Sequence, residues 1–110
     1  MRKNRIADDY FNDIITAIEK IESFVGDTTE DDFALDEKTQ FAVIRGLEII
    51  GEAVKKIPPE NKEKYPKVPW KELAGMRDKL IHAYFGVNIE IVWLTVKEDL
   101  PEIKKIISER

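Results

Sequence analysis

Apolar residues recur three and four positions apart along most of the chain, and they nowhere alternate with period two for long enough to demand a strand. Tyr10, Ile14, Ala17, Ile21 and Val25 form the first stripe, and Gly26-Asp27 supplies a favourable glycine end to that helix. Thr29-Glu30-Asp31-Asp32 can start a short helical turn around Phe33. Asp36 is an acceptable N-cap for a second long helix, whose stripe is Val43, Leu47, Ile50, Val54 and Ile57. Pro58-Pro59 stops it, and a charged, proline-punctuated loop follows through Pro66. Pro69 suits the first turn of a third helix, which runs to about Tyr84 with Gly86 beyond. Asn88 caps a fourth segment bearing Ile89, Val92, Val96, Leu100, Ile103 and Ile107, which Pro101 is expected to kink or break. The pattern predicts an all-α, up-and-down bundle of four to five helices with short connections, a single domain over residues 1–110.

Composition adds exclusions. The chain holds 43% hydrophobic and 36% charged residues, the balance of a soluble helix-rich domain. It has no cysteine, which removes disulfides and thiolate metal sites. No run approaches the ~18 apolar residues of a membrane span, and the N-terminus lacks the apolar core of a secretion signal, so the expected location is the cytoplasm and no membrane partner is expected. The net charge of −4 argues against a nucleic-acid partner until its distribution is examined. Residues 1–54 carry six Lys/Arg against thirteen Asp/Glu, whereas residues 55–79 carry eight against four. The basic segment leads into the one histidine of the chain, where a positive field would suit a phosphate-bearing substrate. Lys62, Lys64 and Lys67 equally suit a solvated surface loop.

That histidine stands in Arg77-Asp78-Lys79-Leu80-Ile81-His82-Ala83-Tyr84. Arginine is a permanent, planar cation matched to phosphate. Histidine both gives and takes protons near neutrality. Together they are a minimal kit for metal-free cleavage of an RNA phosphodiester. Asp78 and His82 are four apart, so a continuous helix sets them within hydrogen-bond reach, where the carboxylate could fix the imidazole tautomer. Arg77 and His82 are five apart, about 140° around the axis and ~7.5 Å along it, and do not face one point. One copy of the helix makes a poor complete site. A homodimer joined across a two-fold axis would let each His82 approach the partner's Arg77. Glu52 shares a polar helix face with Arg45, Glu48 and Lys56, and it is spaced for an ordinary pair with Lys56. Trp70 and Trp93 read as core or interface residues rather than base-stacking platforms. Carboxylates with a single histidine give no metal site, no glycine-rich phosphate loop is present, and no cofactor is implied.

The Arg-polar-x3-His core resembles the motif of the HEPN superfamily of ribonucleases, and the extended Arg-x4-His-x-Tyr form is similar to its HepT branch. Ile49-Ile50-Gly51-Glu52-Ala53, Tyr65-Pro66-Lys67-Val68-Pro69-Trp70 and Ile91-Val92-Trp93 stand where HepT-like proteins have them. The resemblance implies a helical HEPN-like bundle and a dimeric, composite active site that cuts RNA without a metal. Arg77 and His82 would be catalytic, and Glu52 and Asp78 would support them. It further implies a toxin encoded beside a minimal nucleotidyltransferase (MNT) antitoxin, which would silence it by adenylylating Tyr84, within a homodimer or a larger hetero-oligomer with that partner. HepT-like chains often have asparagine after the motif arginine; Asp78 here adds negative charge beside a phosphate site. The alternative is a non-catalytic helical module that only presents Tyr84 or another surface to a nucleotidyltransferase.

Overall fold

Local chemistry punctuates the helices before any packing is considered. The computed structural model describes the backbone of residues 2–82 and 87–110 and the side chains of residues 7–82 and 87–110. Helix α1 (Arg2–Val25) ends at Gly26, whose φ of 50° lies where a Cβ would be strained. The Gly26 N–H still reaches the Glu22 carbonyl at 2.9 Å, closing the last turn. Helix α2 (Glu30–Ala34) is capped by Thr29, whose hydroxyl accepts from the Asp32 N–H at 3.2 Å. Helix α3 (Glu37–Lys56) is capped by Asp36, which accepts from the Thr39 N–H at 3.1 Å. These bonds to the ionised form hold the Asp36 carboxyl below the usual range, the Thr39 hydroxyl first among them.

The loop expected after Pro58 contains a short helix α4 (Pro59–Lys62), with its proline in the first turn. Helix α5 (Trp70–His82) follows, and residues 83–86, where that helix was expected to end, lie outside the described residues. Helix α6 (Ile89–Leu94) is capped by the Asn88 side chain, which accepts from the Ile91 N–H at 3.2 Å. It runs into a π-helical turn (Thr95–Asp99) and then helix α7 (Leu100–Ser108). Pro101 therefore neither breaks this segment nor leaves it regular. Its ring nitrogen has no hydrogen to donate into the preceding turn, and the Leu100 N–H just before it reaches five residues back to the Thr95 carbonyl.

The apolar stripes meet in one core. Phe11, Ile14, Ile18, Ile21 and Val25 of α1 are buried with Val43, Leu47, Ile50 and Val54 of α3 and Leu100, Ile103 and Ile107 of α7. Helix α3 is central, packed on α1 and α5, while α7 lies on α1 and α2 bridges α3 and α6. Among the described residues there is no strand, so the all-α bundle expected from the spacing is the observed fold. Both tryptophans serve this frame. The Trp70 indole donates to the Lys62 and Tyr65 carbonyls, each at 3.1 Å, and tethers the loop before α5. Phe11 meets both Tyr65 and Trp70 edge-on, at 5.6 and 6.1 Å between ring centres. Trp93 packs on Phe33 with ring centres 5.2 Å apart.

Candidate active site

A glycine inside a long helix costs about 1 kcal/mol relative to alanine and asks for a packing reason. At Gly51 the reason is Arg77. A Cβ built on Gly51 would fall 2.2 Å from the Arg77 Cβ and 2.9 Å from the Leu73 carbonyl oxygen. Helices α3 and α5 thus approach each other closely at the root of the arginine. The contact fixes where its side chain leaves the backbone.

Beyond that root the guanidinium lies in a cluster of charges. Its Nη1 donates to Asp78 Oδ1 at 3.1 Å, and the Lys55 ammonium of α3 donates to the same oxygen at 2.6 Å. Two cations share one carboxylate, which leaves a net charge of about +1 on the trio. The Lys55 hydrogen bond first and the Arg77 bond second hold the Asp78 carboxyl below the usual carboxylate range. The Arg77 side chain is 23% exposed, and its Nε is buried without a hydrogen-bond partner among the described residues.

His82 is exposed at the last described position of α5. No hydrogen bond joins it to Asp78, contrary to what their four-residue spacing suggests; the aspartate is drawn to Lys55 and Arg77 instead. Five residues of helix separate the arginine from the histidine by about 140° around the axis and ~7.5 Å along it. Tyr84 falls outside the described residues. Glu52 is half-buried one position from Gly51, and no ion pair links it to Lys56, which instead lies 6.0 Å from the centre of the Tyr10 ring. Among the described residues no group of three His, Cys, Asp or Glu is placed to hold a metal ion, and no helix is long and apolar enough to cross a membrane.

The basic segment 55–79 reaches the motif through Lys55 and Arg77, while its loop lysines lie at the other end of α5. Lys62, Lys64 and Lys67 belong to the stretch tethered by Trp70 at the start of α5. His82 is twelve residues farther, about 18 Å along the axis. Among the described residues Lys55 is the lysine of α3 that pairs with the motif. Sequence reasoning missed both it and the purpose of Gly51, yet a signal existed: Lys55 lies four residues after a mid-helix glycine, on the face that glycine brings into contact.

The sequence model of the ribonuclease HepT-like family matches residues 14–110, a span that includes Gly51, Lys55, Arg77, Asp78 and His82. The chain belongs to the ribonuclease HepT-like family. A Thermococcus cleftensis protein provisionally named ribonuclease HepT is 59% identical over 96 residues, covering 87% of this chain and 87% of the relative. A provisionally named RNase of Methanocaldococcus jannaschii is 53% identical over 96 residues, covering 87% and 83%. Another from Caldanaerobacter subterraneus is 49% identical over 100 residues, covering 91% and 89%. No solved structure matches. In this HepT-like chain the arginine and histidine of the motif are carried by one helix, and the arginine is seated against α3 by Gly51.

Proposed function

We propose that this HepT-like protein is a metal-independent endoribonuclease, the toxin of a prokaryotic toxin–antitoxin pair, acting through a site shared across a homodimer. The observation that carries the reading is the pair Arg77 and His82 on α5 in a chain of this family, one cation seated against α3 and one imidazole exposed to solvent. The ribonuclease names of its relatives agree with it. In the proposed reaction His82 takes the proton of a ribose 2′-hydroxyl as that oxygen attacks the adjacent phosphorus. The bond from phosphorus to the 5′-oxygen breaks, and the leaving oxygen takes a proton from the second His82 or from water. The products are a 2′,3′-cyclic phosphate and a 5′-hydroxyl. Arg77 of the facing protomer stabilises the charge that builds on the phosphorane oxygens. The separation of Arg77 and His82 on one helix is the physical reason for a two-fold partner.

His82→Ala should lower cleavage of RNA by on the order of 10²–10⁴ with helicity unchanged. Mixing Arg77→Ala with His82→Ala protomers should restore part of the activity. Full cleavage by purified His82→Ala would refute the catalytic assignment of His82, and absence of cleavage by the unmodified wild type would favour a non-catalytic module. We further propose that an MNT-type nucleotidyltransferase silences the enzyme by adenylylating Tyr84. Added negative charge beside the motif would compete with substrate phosphate for Arg77. Incubation with ATP and that partner should add one adenylyl mass to the wild type and none to Tyr84→Phe. Equal silencing of Tyr84→Phe would leave steric docking as the mechanism.

A further inference from the structure

An aspartate next to the phosphate-binding arginine is an electrostatic liability, and the packing of α3 on α5 supplies what offsets it. Lys55 lies 23 residues earlier in the chain, and its ammonium is 2.6 Å from Asp78 Oδ1, the oxygen that also accepts from Arg77 at 3.1 Å. The lysine and aspartate side chains are each a little under half exposed, so the trio stands at the surface, where a polyanion can reach it. Without Lys55 the arginine and aspartate would cancel, and the field at this point would be near zero. With Lys55 present, one positive charge remains and a second donor stands beside the guanidinium.

We propose that Lys55 is a positioning and phosphate-binding residue of the active site, contributed by α3, which restores the positive charge that Asp78 removes. This rests on the ribonuclease reading above. Asp78 holds the Lys55 ammonium and the Arg77 guanidinium on one oxygen, a spacing at which both can donate to the oxygens of a single phosphodiester. The occupant is thus the ribose-phosphate backbone, with no demand on base identity.

The test uses the intact protein in an RNase-free His82→Ala background, with a fluorescein-labelled single-stranded RNA of twenty nucleotides read by anisotropy across a salt series. Lys55→Met should weaken binding roughly fivefold, the effect of one charge a few ångströms from a phosphate in water. It should also reduce the slope of log affinity against log salt by about 0.7, one phosphate contact on a single strand. Lys55→Arg should retain both, and Lys55→Met/Asp78→Asn, which restores the net charge, should recover most of the affinity. In the active protein Lys55→Met should raise KM more than it lowers kcat, and its melting temperature should stay near the parent's because the ion pair is exposed. Unchanged affinity and salt slope in Lys55→Met, or no recovery in the double variant, overturns the assignment of Lys55 alone. Failure of the His82→Ala protein to bind RNA at all counts against Lys55 and the ribonuclease reading together.

Discussion

Replacing Gly51 by alanine adds one methyl group at the place where the fold has no room for it. The new Cβ would meet the Arg77 Cβ at 2.2 Å, the Arg77 Cγ at 2.9 Å and the Leu73 carbonyl oxygen at 2.9 Å. Ordinary contact between such carbons is about 3.5–4.0 Å, so the two helices must part by roughly 1.5 Å. Rotating a side chain cannot relieve the clash, because a Cβ and a carbonyl oxygen move only with their backbone. Overpacking of this kind costs typically 1–3 kcal/mol, and the backbone contact places it near the upper end. Alanine's better helix propensity returns about 1 kcal/mol. A net loss of ~2 kcal/mol would lower the melting temperature by roughly 8–16 °C in a domain of this size. Because a displacement of ~1 Å at a catalytic group can cost on the order of 10²-fold, kcat/KM should fall far more than a surface substitution would cause. Gly75 on α5 is the internal control. A Cβ there meets nothing within 4 Å, so Gly75→Ala should raise stability by up to about 1 kcal/mol. Both variants would be measured by thermal and urea unfolding and by steady-state RNA cleavage. If Gly51→Ala matches Gly75→Ala in stability, α3 and α5 do not approach as closely as described, and the account of how Arg77 is seated fails.

Other expectations follow from the same geometry. Phe33 is fully buried against Trp93, so Phe33→Ala should cost about 3–5 kcal/mol by urea unfolding, and a loss under about 1 kcal/mol would refute its place in the core. Although the Asp99 side chain is exposed, partial desolvation first, then the charges of Glu98 and Glu102, raises its carboxyl above its ordinary 3.8. The folded state therefore binds that proton more tightly than the unfolded chain, and stability falls as pH rises from 3.8 through the raised value. Asp99→Asn should raise the melting temperature above that window and change it little below; equal effects at both ends would contradict the assignment.

The elements were legible because each helix carries its own local signals. The stripes predicted from spacing are almost all buried, Gly26 ends α1, and the Asp36 and Asn88 caps are where composition puts them. The short α4 was not legible, since four residues carry no periodicity. The π turn was only half visible: Pro101 announced a disturbance, but not that the helix absorbs it with a longer hydrogen bond. At the site, Asp78 shows the limit of reading one helix alone. Spacing offered it His82, while a lysine 23 positions away on α3 claims it, and only the packing of α3 on α5 reveals that competitor. Gly51 was visible as a residue, but its reason was not, because the clash it avoids lies wholly on another element.

The π turn carries a consequence for how the gene can change length. Five residues, Thr95–Asp99, occupy a turn that an α-helix fills with fewer, so the chain there contains in effect one inserted position. Deleting any one of them would let the regular α pattern close up with everything downstream held near its present orientation, because five residues of the wider turn sweep about the angle that four sweep in an α-helix. Ile103 and Ile107 would stay buried and turned toward α1, whereas one residue lost within α7 ahead of them would swing both by about 100° and bring charged neighbours into the core. Lys97 and Glu98 are exposed, so losing either one removes no buried side chain. In this stretch the fold can give up one residue without losing the register of the core helix that follows.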